Sequence, residues 1–206
     1  FSHATSAPAE AMAVIRRNLD GTQLTSLTDL ASAPEAVRDA FDAFVQEYGS
    51  RLTEGYDIRA ATLAEMPDAI LAGINSASPD LDVGAAARAI GDHTADRLRR
   101  QLPEEDRAEF DEIVADARAL YGLRDENGPI TYQWPGGIVR RAVLESSKRL
   151  TAAGVLSRAD HGFELSAKEI TAGLRGTPTT DADEAAARAA ASRAWLTLDA
   201  PPTLGP

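Results

Sequence analysis

The chain has 206 residues, no cysteine, and 21 basic against 32 acidic residues, a formal net charge of −11. This excess of negative charge repels nucleic acid and anionic membrane surfaces, and the missing thiols exclude disulfides and thiolate chemistry, a usage that suits the cytoplasm. Apolar residues make up 44% but aromatics only 5%, and many of the rest are alanine, so the expected fold class is all-α, a multi-helix, bundle-like domain. No apolar run approaches the ~20 residues that span a bilayer, and neither nucleic acid nor membrane is expected as a partner.

In chain order, Ser6-Ala7-Pro8 reads as the cap and first turn of a helix with Met12, Ile15 and Leu19 on one face, ended by Asp20-Gly21. Asp29 to Ala33 is a short connection. Pro34 then opens the clearest amphipathic helix of the first half. Its stripe is Val37, Ala40, Phe41, Phe44, Val45 and Tyr48, and Gly49 is its expected stop. Ser50 to Met66 has no helical period, and Gly55-Tyr56-Asp57 reads as a turn inside an extended excursion. Pro67 starts a short helix carrying Ile70, Leu71 and Ile74. The break from Ser76 to Asp80 allows a sub-boundary near 76–82. A helix from about Leu81 to Leu102 is expected to face Val83, Ala87, Ile90, Thr94 and Leu98 inward. Pro103 opens another, whose acids Glu104, Glu105 and Asp106 suit the positive helix end. Its expected stripe is Phe110, Ile113, Val114, Ala117, Leu120 and Tyr121, and either Gly122 closes it or it runs on to Glu126.

The stretch from Ala119 to Leu156 joins the two strongest helix signals through an expected hinge that holds Arg124-Asp125-Glu126-Asn127, Tyr132 and Trp134. Gly136-Gly137 leads into the second of those helices, with Val139, Ala142, Val143, Ser146 and Leu150 expected inside and Gly154 at its end. Asp160-His161-Gly162 is a turn signal between short apolar pieces, leaving room for at most a small β-hairpin near residues 155–165. Ser166 and Glu169 match a capping box, and the Ala-rich helix from Asp181 is expected to be anchored by Trp195 and Leu196. Residues 1–200 read as a single helical domain. The Pro/Gly-rich end, 201–206, reads as a linker to a downstream domain, and the chain as a piece of a longer protein.

Little in the sequence speaks for catalysis. None of His3, His93 and His161 stands at metal-ligand spacing with a second histidine, and His3 lacks the setting of a phosphotransfer histidine. No Gly-rich phosphate cradle occurs. Gly136-Gly137 either receives an anion at a helix start or loosens that start after Pro135; the second reading is preferred. No catalytic residue and no metal ligand is therefore expected. The best binding candidate is Arg124, Asp125 and Glu126 with Asn127, a charged knot at an expected helix end suited to a polar or phosphorylated group. The bland alternative is a solvated terminus with the aromatics in the core. If a pocket exists, Arg51, Tyr56, Arg124, Asp125, Glu126 and Trp134 are expected at it, because Arg51 follows a helix stop and Arg124 precedes the hinge.

Several segments, in order, resemble the helical region of phosphoenolpyruvate-utilising phosphotransferases of the rifampicin phosphotransferase and phosphoenolpyruvate synthase type. Phe44 to Arg51 is similar to that family's aromatic-Tyr-Gly-His-Arg segment, with Ser50 in place of the usual His. Gly55-Tyr56-Asp57 and Pro67 follow at similar distances; Thr62 and Leu63 stand near the family's usual Arg-Trp pair. Tyr121 to Asn127, Arg140-Arg141 through Leu156, and Phe163-x-Leu165 with Glu169 resemble its later helices, and Pro201 to Gly205 its next linker. The resemblance covers nearly the whole chain. It implies a helical domain between an ATP-binding domain and a phosphohistidine domain, helping to form the pocket of a small-molecule acceptor. It also implies a parent enzyme using ATP and Mg²⁺, with no cofactor held by this piece.

Two other readings compete. A helix followed by Gly154 to Arg158 and Asp160 to Leu165, with Arg140, Arg141, Lys148 and Arg149 nearby, also suits a winged-helix DNA-binding regulator, against which the net charge of −11 argues. The other is a structural module that only docks to neighbouring domains.

Overall fold

The computed structural model describes residues 3–80 and 83–198. Among these the secondary structure is helical, and the one β-type pairing is an isolated antiparallel bridge between Leu52 and Thr62. The chain divides into two compact units, Phe1–Gly137 and Ile138–Pro206. The linker expected at 201–206, and residues 81–82 of the possible sub-boundary, lie outside the described residues.

The first unit is built around three helices, α1 (His3–Asn18), α2 (Glu35–Tyr48) and α3 (Pro67–Ser76). Helix α1 begins at His3, so Pro8 sits inside it rather than in its first turn. Asp20 (φ 45°) and Gly21 (φ 84°) then turn the chain out of the helix in the left-handed region. A 3₁₀ helix, Leu27–Ser32, follows where only a connection was expected, capped by Ser26 and by the Asp29 carboxylate, which accepts from the Thr25 and Ser26 backbone N–H groups. The stripe expected on α2 is the one that is buried. Val37, Phe44 and Tyr48 pack with Ile15 and Leu19 of α1, Leu24, Leu30, and Ile70 and Ile74 of α3; Ala40, Phe41 and Val45 pack partly buried against them. Met12 of α1 lies so close to Gly73 of α3 that a Cβ there would come 2.6 Å from the Met12 sulfur.

Helices α4 (Val83–Arg99) and α5 (Arg107–Gly128) complete this unit and both touch α1. They are joined to each other by exposed ion pairs, Arg99–Asp111 (2.9 Å) and Arg118–Asp92 (2.7 Å). Here the expected inner faces are only partly covered. Ala87, Thr94, Phe110 and Val114 are half-buried, but Ile90, Leu98, Ile113, Leu120 and Tyr121 are exposed. Apolar residues on these helices occupy more of the circumference than the neighbouring helices cover, so periodicity marked a face without marking a contact.

The expected hinge is also different. Helix α5 runs past Arg124 to Gly128, and a π-helical turn, Pro129–Gln133, carries the helical backbone into α6 (Trp134–Ala152). Two prolines explain the slipped ladder. Pro129 and Pro135 each lack the N–H that an α-helix spends on the fourth residue back, and the wider turn re-pairs the chain, with Trp134 N–H donating to the Pro129 carbonyl.

The second unit comprises the rest of α6, α7 (Ala167–Leu174) and α8 (Ala182–Leu196). The stretch where a hairpin was allowed holds a 3₁₀ helix, Ala159–Glu164, so the wing of the DNA-binding reading is not formed among the described residues. The core gathers Leu150, Leu156 and Ala185, with Val155 and Leu165 against them. On α6 the buried face includes Ser147 rather than Ser146, and Val139 is 49% exposed. Ser147 enters the core because its hydroxyl donates to the Val143 carbonyl (2.6 Å) and because Gly162 presses directly on it. Trp195 and Leu196 do not anchor α8. They are exposed, and the helix is seated instead by the small faces of Ala185 and Ala189.

Glu169 ties this unit together. Its carboxylate accepts from the Ser166 N–H (2.7 Å) and hydroxyl (2.8 Å), completing the expected capping box of α7, and from Thr180 Oγ1 (2.6 Å) and Arg188 Nη1 (2.9 Å) of α8. These donors, Thr180 foremost, lower its pKa from 4.5 to about 2.

Candidate functional site

The excursion that follows α2 is the irregular segment nearest the expected binding residues, and its fold is dictated by a few backbone pairings. Leu52 and Thr62 pair as an antiparallel bridge, and Thr53 N–H donates to the Ala61 carbonyl (3.0 Å). Beyond the bridge, Leu63 N–H reaches back to the Arg51 carbonyl (3.0 Å) and Ala64 N–H to that of Gly49 (2.9 Å). Thr62 then caps a single 3₁₀ turn, Leu63–Glu65, with both its N–H and its hydroxyl 2.9 Å from the Glu65 carboxylate. The ends of the excursion are thus fixed, and Leu52 and Thr62 are almost fully buried. Its tip, Glu54 to Asp57, is exposed and turns on Gly55, whose φ of 53° belongs to the left-handed region.

This excursion lies on the π-helical turn and the first residues of α6. Leu52 N–H donates to the Gln133 carbonyl (3.1 Å), and the Leu52 side chain covers Gly136, where a Cβ would come 2.7 Å from Leu52 Cδ1. Gly137 meets the Ser50 carbonyl oxygen itself. The glycine pair therefore serves close approach of the excursion, Gly136 leaving room for the Leu52 side chain and Gly137 for the Ser50 carbonyl. Neither an anion site nor a loosened helix start accounts for it, since the backbone is helical before Trp134 and both glycines are buried. At the tip, the Tyr56 ring meets Tyr132 edge-on, with centroids 4.6 Å apart and planes at 64°.

The expected binding residues are distributed as follows. Arg51 stands at the base of the excursion, half-buried, with its guanidinium 4.6 Å from the centroid of the Tyr48 ring. Burial, and after it the Glu47 hydrogen bond and charge, push the Tyr48 hydroxyl above its ordinary pKa, while Arg51 acts the other way. Tyr56 is 78% exposed in spite of its contact with Tyr132. Arg124 lies within α5 rather than at a free helix end, and its guanidinium stands 5.5 Å over the ring of Tyr121 on the same helix. Asp125 and Glu126 are half-buried in the last turn of α5, and Trp134, the first residue of α6, is 47% exposed. Asn127 accepts through its carbonyl from the Thr131 hydroxyl, inside the π-helical turn. The structure thus joins Tyr56 to the aromatic segment that also carries Trp134, and seats Arg51 and Arg124 on separate tyrosines. Sequence reasoning missed Leu52 and the Ser50 carbonyl. The signal available for them was the adjacent glycine pair, which marks close backbone approach as readily as flexibility.

Elsewhere, His161 is buried with its Nδ1 3.2 Å from Ser157 Oγ, and His93 is exposed. Among the described residues no group of three or more His, Asp or Glu side chains gathers as a metal site, and no helix is long and apolar enough to cross a membrane.

A family model described as the rifampicin phosphotransferase fourth domain matches residues 3–125, which takes in α1 to nearly the end of α5 and the whole excursion. A rifampicin phosphotransferase of Bacillus cereus is 26% identical over 146 residues, covering 66% of this chain. The alignment spans 17% of that protein's length.

Proposed function

Because this chain belongs to the rifampicin phosphotransferase fourth-domain family, we propose that it is the helical, substrate-side domain of an ATP-dependent phosphotransferase of the phosphoenolpyruvate-utilising type. In this reading it shapes the wall of a small-molecule acceptor pocket and docks the phosphohistidine domain of its parent in the cytoplasm. The observation that carries the reading is the excursion clamped onto the glycine pair, which sets an irregular segment bearing Arg51 and Tyr56 on a helical scaffold beside Tyr132. Rigid helices holding such a segment are a common way to build a binding wall. Arg51 offers a cation and the tyrosines offer ring faces, a set that binds and orients an acceptor without supplying a nucleophile or a base.

Phosphoryl transfer needs a cradle for the triphosphate and Mg²⁺ held by acidic or hydroxyl side chains. The sequence has no such Gly-rich loop and the described residues gather no metal-binding cluster. In this reading ATP and Mg²⁺ belong to the ATP-binding domain of the parent, and this chain alone transfers no phosphate.

The test has two parts. The chain is first mixed with radiolabelled ATP, Mg²⁺ and rifampicin, the acceptor named for the Bacillus cereus relative; no label is expected to move until ATP-binding and phosphohistidine domains are supplied. Label moving earlier overturns the assignment of the chemistry to other domains. In the full parent enzyme, Arg51→Ala and Tyr56→Ala are then expected to raise KM for the acceptor severalfold while KM for ATP stays put. Unchanged acceptor KM in both variants sinks the pocket-wall reading.

A further inference from the structure

Gly128 carries α5 into Pro129 with a helical backbone (φ −60°, ψ −54°). In that region a side chain on the residue before a proline presses on the proline ring, so glycine suits the position. The same choice has a chemical consequence one residue earlier. Asn127 is exposed, and space around the missing Cβ of Gly128 is open, so the Asn127 carboxamide has an unshielded neighbour.

The chain has three asparagines, Asn18, Asn75 and Asn127. The Asn75 carboxamide is held at both ends, Nδ2 donating to the Leu24 carbonyl (2.8 Å) and Oδ1 accepting from the Leu24 N–H (3.2 Å). Asn18 Nδ2 donates to the Ala36 carbonyl (3.2 Å). Asn127 is tied mainly through its backbone. The Thr131 hydroxyl donates to its main-chain carbonyl and stands 3.4 Å from its Oδ1.

We propose that Asn127–Gly128 is a self-modification site of this chain, held shut by the helical junction and reactive when that junction opens. In the reaction the Gly128 amide nitrogen loses its proton to a base in solution and bonds Asn127 Cγ. The Cγ–Nδ2 bond breaks, and the side-chain nitrogen takes a proton from water and leaves as ammonia. Water then opens the cyclic imide. Cleavage at Cγ leaves aspartate, and cleavage at the original peptide carbonyl leaves isoaspartate, whose main chain is longer by one carbon. Ring closure requires Asn127 to leave the helical region and turn the Gly128 nitrogen onto Cγ. In the folded chain that nitrogen lies in the helical ladder of α5, and the Thr131 hydroxyl fixes the carbonyl beside it. Yet α5 has no buried residue, and a helical turn with so few buried contacts opens locally at low cost. Either product places a new carboxylate beside Asp125 and Glu126, and isoaspartate also changes the spacing into the π-helical turn. This chemistry stands apart from the acceptor reading.

The test incubates the chain at mildly alkaline pH, folded or unfolded in urea, and maps its peptides by mass spectrometry with fragmentation that separates aspartate from isoaspartate. In urea, conversion is expected at Asn127, with Asn18 and Asn75 slower by about tenfold or more, because leucine and serine side chains hinder the ring that glycine leaves open. In the folded chain Asn127 is expected to convert more slowly by on the order of tenfold or more, set by how rarely the turn opens. Thr131→Val is expected to speed conversion severalfold in the folded chain and not in urea. Thr131→Ser, which keeps the hydroxyl, is expected to match the wild type and covers the case in which the valine variant fails to fold. Equal Asn127 rates in folded and unfolded chains, Asn127 no faster than Asn75 in urea, or a folded Thr131→Val chain converting at the wild-type rate would each overturn the proposal.

Discussion

A Cβ placed on Gly137 would lie 1.6 Å from the carbonyl oxygen of Ser50, so the start of α6 and the start of the excursion after α2 meet backbone to backbone. Gly137→Ala is expected to force the two apart and lower stability by about 1–3 kcal/mol or more, the range of overpacked sites. Gly122→Ala is the control. Gly122 lies within α5 with open space around its Cα, and alanine there is expected to add about 0.5–1 kcal/mol. Urea unfolding of both variants checks this, and equal effects would mean that the close approach is not a feature of the folded chain.

The two helical regions of the first unit differ in how much of their apolar surface is covered. Phe44 is 1% exposed and central to its cluster. Phe44→Ala is expected to cost about 3–5 kcal/mol. Leu120→Ala, at a residue 63% exposed, is expected to cost well under ~1 kcal/mol in the chain by itself. Comparable losses would show that α5 is packed more tightly than described.

Glu169 makes the second unit sensitive to acid. Its pKa falls from 4.5 to about 2 on folding, chiefly through the Thr180 hydroxyl and then the Ser166 groups and Arg188. A carboxylate with a depressed folded-state pKa contributes stability that is fully present above about pH 4.5 and is lost as the pH falls toward 2. The wild type is therefore expected to lose stability across that window, and Glu169→Gln, which cannot ionise, to lose less. Thermal melts between pH 2 and 7 measure it. Parallel curves for the two proteins would remove Glu169 from the acid response.

The sequence shows why some of this was readable and some was not. The stripe of α2, the turn at Gly55-Tyr56-Asp57 and the Ser166–Glu169 capping box are local patterns, and each formed as expected because the interactions behind it span only a few residues. The supposed hinge failed for the opposite reason. Pro129, Pro135 and the glycine pair are helix breakers one at a time, but a π-helical turn accommodates the missing donors and the Ser50 carbonyl and Leu52 side chain fill the space above the glycines. Ile113, Leu120 and Trp195 carry the same apolar signal as Phe44, yet their exposure depends on what lies opposite, which hydrophobic periodicity does not encode. Of the binding candidates, Tyr56 gained a long-range partner in Tyr132, whereas Arg124 pairs with its own-helix Tyr121.

The π-helical turn makes the register of α5 onto the following residues a matter of residue count. Such a turn fits one residue more than an α turn. A gene lacking a single codon between Pro129 and Tyr132 would remove the extra residue and carry Tyr132 about 100° around the axis of α5, away from Tyr56. Substitutions at most surface positions of this segment are tolerable changes of chemistry, whereas a one-residue deletion is a change of phase. Homologous chains aligned across this point by helical periodicity alone would be misaligned by one position, and the aromatic contact is the landmark that fixes the count.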